Sequence, residues 1–417
     1  FPSASPEPLS VKTPKILLLS LSITAALAAC QKPAGNADAG DTAKAEAPAY
    51  TLDESKLPPV NRFQASDLDP GKSACSDLNG YVNGKWVAAN PIPGDRSSWG
   101  AFEMLAERSL GVQRQLAEQA AAKTGGTGVD KIVGDFWATG MDEAKINAQG
   151  IEPLKPELAK IDALADGPAI AEFLRASAKQ GNGYLIGIGS MPDFKNSDIN
   201  IAATGQGGLG LPDTPYYSKA EYQKIRDAYV AYIAKLLELS GVPAADAASQ
   251  AKDVLAFETR LAKVSKSSEE MSRDVGLYYN PVSPAEADKL SPNFPFTKLF
   301  ESQGVAVPAM FSLSIPAYHA EVSKMLADVP AAQWKSYLRF HLIDDAAPYL
   351  SDDYVQANYE FYGKTLGGQK ELRERGKRVL GTVDRQVGEA LGQMYVKVAF
   401  PAESKAKMQA LIKNLGE

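Results

Sequence analysis

From about residue 100 onward, apolar side chains recur every three to four positions, the period of helices that bury one face. Phe102, Leu105, Val112 and Leu116 fall on one such face and predict a helix to about Lys123. Ser218 and Glu221 form the pattern of a capping box. Tyr222, Ile225, Tyr229, Ile233 and Leu236 follow at helical spacing, and Gly241 stops the run. The same periodicity predicts helices over about 129–146, 168–179, 244–264, 315–327, 330–347, 351–364, 370–397 and 403–415. Only Tyr184–Ile188 and Ile199–Thr204 read as strands, separated by a turn carrying Pro and Asp. The predicted fold class is mainly α, a large multi-helix lobe with a small β insertion. No fixed-period repeat emerges, which disfavours a solenoid.

The first fifty residues have another character. Lys12 and Lys15 precede the apolar stretch Ile16–Ala29, which suits a secretory signal. It is shorter than the roughly 20 residues a helix needs to cross a bilayer. The stretch ends Leu27-Ala28-Ala29-Cys30, which resembles a bacterial lipobox, so Cys30 is the expected lipidation site. The alternative is an ordinary signal peptide with an incidental cysteine. Acyl chains on Cys30 would hold the protein on a membrane surface without spanning it. Gln31, in place of Asp, resembles signals for the outer membrane, so the expected location is the cell envelope, on the periplasmic side of that membrane, or the periplasm. Residues 1–10 fit no part of a signal and read as a translation artefact, with Val11 as the true start. Residues 31–52 are poor in apolar bulk and cannot offset their ordering entropy. They read as a flexible tether, with residues 53–417 as the folded body.

Composition narrows the function. A 417-residue chain with 45% hydrophobic residues can bury a sizeable core. Net charge is −6 and the basic residues are scattered, which argues against nucleic acid as a partner. Cys30 and Cys75 are too few for a disulfide framework or a zinc-cysteine site. Gly205, Gly207 and Gly210 in GQGGLG match a dinucleotide fingerprint, but Pro212 and Pro215 forbid the helix that motif must open, so a plain glycine loop is the better reading. Gly363-Lys364-Thr365 resembles the end of a phosphate loop, yet Asn358 stands where the loop needs Gly. His319 and His341 belong to no zinc or nucleophile signature and read as structural. Asp344-Asp345 and Asp352-Asp353 read as solvated surface.

From Ser73, SACSDLNGYVNGKWVAANPIPGDRSSWGAF resembles the N-terminal signature of the neprilysin family of zinc metallopeptidases, in its bacterial oligopeptidase form. The resemblance continues through FWATGMDEAKINAQGIEPLKP at 136–156, LGLPDTPYY at 209–217 and FETRLAKVS at 257–265. It extends through YNP at 279–281, residues 337–371 and EALGQMYVKVAFP at 389–401. It implies that YVNGKWVAANPIP is the corner where the chain enters the body, Trp86 packing inward and the prolines fixing the turn.

In that family a His-Glu-x-x-His motif and a further Glu hold zinc, and the motif's Glu activates water. This chain ends at Leu415-Gly416-Glu417 before any of them. The resemblance therefore implies an N-terminal portion whose zinc belongs to a C-terminal catalytic domain absent from the chain, inactive alone and roofing a cleft that admits short peptides. No residue is assigned as catalytic or metal-binding. By the same resemblance Phe102 is an aromatic wall of the pocket for the side chain after the cut bond; a core-packed Phe is the alternative. Ser98 stands where mammalian relatives carry a carboxylate-gripping arginine, and Ala106 where they carry a second. Arg96 is the candidate substitute, beside the plainer reading of a surface arginine. Gly376 and Val379, where relatives often have Trp and Cys, imply local repacking. Cys75 matches a cysteine that pairs near the far C-terminus in secreted animal relatives, and is expected as a free thiol or one awaiting that half. A rival reading is a non-catalytic helical binding lipoprotein that lost its catalytic half.

Overall fold

A computed structural model describes residues 50–60, 63–123 and 125–416. Cys30, the signal-like stretch and residues 1–49 lie outside them. Helices α1 (Leu78–Ala89), α2 (Ala101–Ala122), α3 (Gly128–Met141), α4 (Glu143–Gln149), α5 (Lys155–Asp162) and α6 (Gly167–Lys179) come first. A hairpin of β1 (Ile186–Asp193) and β2 (Asn196–Gln206) follows, then α7 (Pro215–Ser218), α8 (Gln223–Leu239), α9 (Ala244–Ala262) and α10 (Ser268–Arg273). Next come β3 (Pro281–Val282), α11 (Pro284–Leu290), α12 (Phe296–Gln303), β4 (Phe311–Leu313), α13 (Pro316–Asp328) and α14 (Ala331–Ala346). The described chain closes with α15 (Asp352–Asn358), a π-helical turn at Tyr359–Leu366, α16 (Arg375–Ala399) and α17 (Ala402–Gly416). The mainly helical expectation holds.

Three apolar cores organise these elements. The first joins α2, α3 and α16 through Leu116, Val133, Trp137, Leu380 and Met394. The second joins α8, α9, α14 and α15 through Tyr229, Ile233, Val254 and Phe340. The third sets α6, α12 and α13 against the sheet. Tyr50 and Leu57 pack into the first core, so the body begins at Tyr50, inside the stretch assigned to the tether.

Several elements differ from expectation. The sheet has order β1-β2-β4-β3 and recruits two short strands far along the chain. Ala203 pairs with Ser312 in parallel, and Ser312 pairs with Pro281 antiparallel. Strands of two or three residues carry no readable alternation. The predicted 129–146 helix is broken at Asp142, whose side chain accepts from Lys145 N and so caps α4 instead of continuing α3. Ser218 does not cap α8: it ends α7, and α8 starts after Tyr222 with no side-chain cap. Among the described residues, capping boxes form at Gln64 with Asp67, Ser267 with Glu270 and Ser283 with Glu286.

The glycine-rich loop serves packing. Tyr318 donates to the Gly207 carbonyl at 2.8 Å and Tyr337 to that of Gly208 at 2.9 Å. A Cβ on Gly210 would sit 1.9 Å from the Tyr229 hydroxyl, so this approach requires glycine. Gly363-Lys364-Thr365 lies within the π-helical turn, with Lys364 paired to Glu360 at 2.8 Å.

Candidate functional site

YVNGKWVAANPIP is not a bare corner, because its first half is helix α1. Asp77 caps it by accepting from Gly80 N at 2.8 Å, and Pro91 prevents continuation past Asn90. No residue of α1 is fully buried. Trp86 does not enter the core: it is half-buried and lines a groove of about 420 Å³ with Val60, Phe63, Val87, Met104 and Leu105.

The chain then turns into α2 along a charged seam. The Gly94 carbonyl accepts from Lys370 N at 2.8 Å and Glu371 N at 3.0 Å. Arg96 is ion-paired with Glu107, its side chain only 15% exposed. The same carboxylate meets Lys377 at 2.9 Å and Arg373 at 3.7 Å, and Lys377 also approaches Asp95 at 3.7 Å. Burial, then repulsion from Arg373, pushes the Arg96 guanidinium below its ordinary range. Arg96 is thus neither a surface arginine nor free to grip a substrate carboxylate; it ties the entry segment to α2. Ser98 donates to Glu103 at 2.8 Å, which holds that carboxyl below its usual range.

Helix α2 has two halves. Val112, Leu116, Ala117 and Ala120 are buried, whereas Phe102 is 86% exposed and Leu105 is exposed too. The core-packed reading of Phe102 is therefore excluded. Its helix, about 33 Å long at 1.5 Å per residue, is anchored at one end and presents an unpartnered apolar end at the other. Ile92, Val87, Leu78 and Phe63 are exposed as well. At the far end of the described chain, α17 buries nothing and exposes Met408, Leu411, Ile412 and Leu415, spaced as one helical stripe.

The most reactive-looking side chains lie elsewhere and are spoken for. Glu258 Oε2 accepts from Tyr217 at 2.6 Å and Gly210 N at 3.2 Å. Its Oε1 meets Tyr229 and His341 Nε2, each at 2.9 Å. Asp344 accepts from Tyr232 and, at 2.8 Å, from Tyr362. Burial raises the Asp344 carboxyl to about 6, against the pull of those bonds. Asp344 therefore belongs to an interior network, not to solvated surface: Tyr232 and Tyr362 converge on it across three helical segments, which adjacency to Asp345 could not reveal. His319 packs against Phe296 and lies 3.4 Å from Thr204 Oγ1.

Among the described residues no group of three or more His, Cys, Asp and Glu could hold a metal ion. The one His–carboxylate pair, His341 with Glu258, has its oxygens filled by tyrosine hydroxyls and a backbone amide. Cys75 is exposed and free. Val379 abuts Gly140, where a Cβ would lie 2.5 Å from its methyl, and Trp137 lies 3.5 Å from the corresponding position at Gly376. Gly376 thus packs beside Trp137, and Val379 fills the space beside Gly140.

A helical lobe with a small mixed sheet is the architecture of the N-terminal domain of neprilysin-like metallopeptidases. Residues 74–417 match the model for the N-terminal part of peptidase family M13, and the chain belongs to that family. It is similar to Mycobacterium tuberculosis zinc metalloprotease Zmp1 in complex with inhibitor, with a TM-score of 0.77 and 32% identity, covering 85% of this chain and 54% of that one. PepO from Lactobacillus rhamnosis shares the fold at TM-score 0.72 and 24% identity, over 82% of this chain and 54% of that one. Endothelin-converting enzyme 1 of Mus musculus is 27% identical over 373 residues, 84% of this chain and 48% of that protein. The chain thus spans about half the length of the curated relatives it matches.

Proposed function

We propose that this chain is the lobe capping the active-site cleft of a zinc endopeptidase acting on short peptides, with the zinc and the water-activating carboxylate supplied by polypeptide outside it. The observation that carries this is Phe102, almost wholly exposed on a rigid helix whose other half is core. A solvated Phe costs about 1.5–3 kcal/mol relative to a buried one, a cost recovered when a substrate side chain or a facing lobe covers it. The exposed stripe of α17 supports the same reading, since a helix without a buried residue lacks the packing that normally stabilises it. Ser98 and Arg96 are committed to Glu103 and Glu107, so substrate selection on this side rests on apolar contact. Lipid attachment at Cys30 is proposed with it, placing the lobe at the envelope membrane. Among the described residues no helix is long and apolar enough to cross a membrane.

The test is the product of the full open reading frame, assayed with zinc on peptides differing only in the residue after the cleaved bond. Phe102→Ala should raise KM about tenfold or more for Phe or Leu there and leave Ser unchanged. A locus that encodes no His-Glu-x-x-His helix past the codon for Glu417 overturns the proposal in favour of a binding lipoprotein. Mass measurement of the mature N-terminus decides the lipid.

A further inference from the structure

Between α3, α4 and the start of α16 lies a half-open cavity of about 620 Å³, sharing no lining residue with the groove beside Trp86. Its apolar wall is Ile132, Phe136, Leu350, Val355 and Val379. Two arginines line it one helical turn apart. Arg375 Nε donates to the Gly140 carbonyl at 3.0 Å, and its nearest carboxylate, Asp352, is 3.8 Å away. Arg378 Nε donates to the Arg373 carbonyl at 3.0 Å; its terminal nitrogens have no acceptor among the described residues. Burial, then repulsion from Arg375, lowers its pKa from the ordinary value, against Asp352 and Glu143 acting at longer range. Arg385 reaches the cavity through Tyr349, donating to its hydroxyl at 3.0 Å. The one carboxylate in the lining, Asp135, is paired with Lys131 at 2.5 Å. An uncommitted guanidinium beside a second one is a seat for a carboxylate.

The remaining polar lining selects the body that carries this carboxylate. Gln149, Gln386 and Thr139 stand exposed at the cavity mouth, their side chains making no hydrogen bond to other described residues. Amides and a hydroxyl supply both donors and acceptors, the complement of peptide N–H and C=O groups. A hydrocarbon tail would leave these groups without a ligand partner, whereas a peptide backbone can bond to them.

We propose that this cavity binds the C-terminal end of an apolar peptide, its carboxylate on Arg378 and Arg375 and its last side chains against Phe136, Val355 and Val379. The ligand class rests on the peptidase reading above; the binding itself needs no hydrolysis. The volume lies within the range that encloses small ligands.

The experiment is calorimetric titration of the 417-residue chain with acetyl-Leu-Phe bearing a free carboxylate and, separately, with its C-terminal amide. The acid should bind about tenfold or more tightly than the amide, the difference expected of one charge-assisted contact. Arg378→Gln should bring the acid down to the amide's affinity and leave the amide unchanged. Thr139→Trp, introduced from an exposed position at the mouth, should abolish both, with thermal unfolding confirming that each variant is folded. Equal binding of acid and amide, acid binding unaffected by Arg378→Gln, no binding of either, or displacement of the peptide by laurate at lower concentration would each overturn the proposal. Cleavage by the full-length product is scored separately, so an inactive product with intact acid-selective binding sinks the peptidase reading and not the site.

Discussion

His341 Nε2 lies 2.9 Å from Oε1 of Glu258, a carboxylate with no solvent exposure. Burial by itself would depress the imidazole, but the bond to Glu258, with Asp344 and Asp345 nearby, raises its pKa above the ordinary 6.5. A folded-state value above the unfolded one contributes stability that is complete below pH 6.5 and lost as pH climbs through the raised value. Thermal stability should therefore fall as pH rises above 6.5, and His341→Gln should flatten that decline. A variant whose Tm falls with pH as steeply as the parent's would refute it.

Asp344 acts at lower pH. Its carboxyl, lifted by burial from 3.8 to about 6, favours folding most when protonated. That contribution is full below pH 3.8 and gone above about 6. Asp344→Asn should remove this slope and, at pH 7, leave the protein as stable as the parent or more so. Urea midpoints at pH 4, 5, 6 and 7 measure it.

Gly210 and Gly205 separate packing from nucleotide binding in the glycine loop. Gly210→Ala drives a methyl into Tyr229 and should cost about 2–3 kcal/mol, whereas Gly205, with nothing within 4 Å of its Cβ position, should accept Ala with little change. Equal effects at the two positions would contradict the packing account.

One helix carries two opposite outcomes. Leu116→Ala, at 0% exposure, should cost about 2–5 kcal/mol, and Phe102→Ala on the same helix should stay within about 0.5 kcal/mol. Denaturant titration of both variants compares them directly.

The stripe on α17 should govern self-association. Ile412→Asp with Leu415→Asp, both exposed, should lower the sedimentation-detected association of the chain and leave its Tm unchanged. A lower Tm would mean the helix packs within the lobe.

Much of the helical architecture was legible because burial imposes a 3.6-residue period: α8, α9 and α13 to α16 announce themselves this way. The exceptions have physical causes. Phe102 and Leu105 share the stripe of Val112 and Leu116, since periodicity records a face that is covered without saying by what. Helix α1 escaped because Asn-Gly and a following proline read as a turn, and its side chains show no strong segregation into one buried face. Asp345 is exposed as expected, but Asp344 looked solvated because alternation along one helix ignores the hydroxyls that Tyr232 and Tyr362 bring from other segments. The arginines of the cavity lie one turn apart on α16, ordinary in sequence, and only the packing of that helix against α3 places them at a cavity, with the terminal nitrogens of Arg378 unpaired among the described residues.

By itself, the sequence determined the class of fold and the family, because helix period and local motif spacing are properties of neighbouring residues. The tertiary structure decided which apolar residues are covered, that Arg96 is locked by Glu107, that Asp344 is interior and that a cavity opens beside Arg375 and Arg378. Those facts depend on pairs far apart along the chain, and desolvation is set by what packs against a side chain in space.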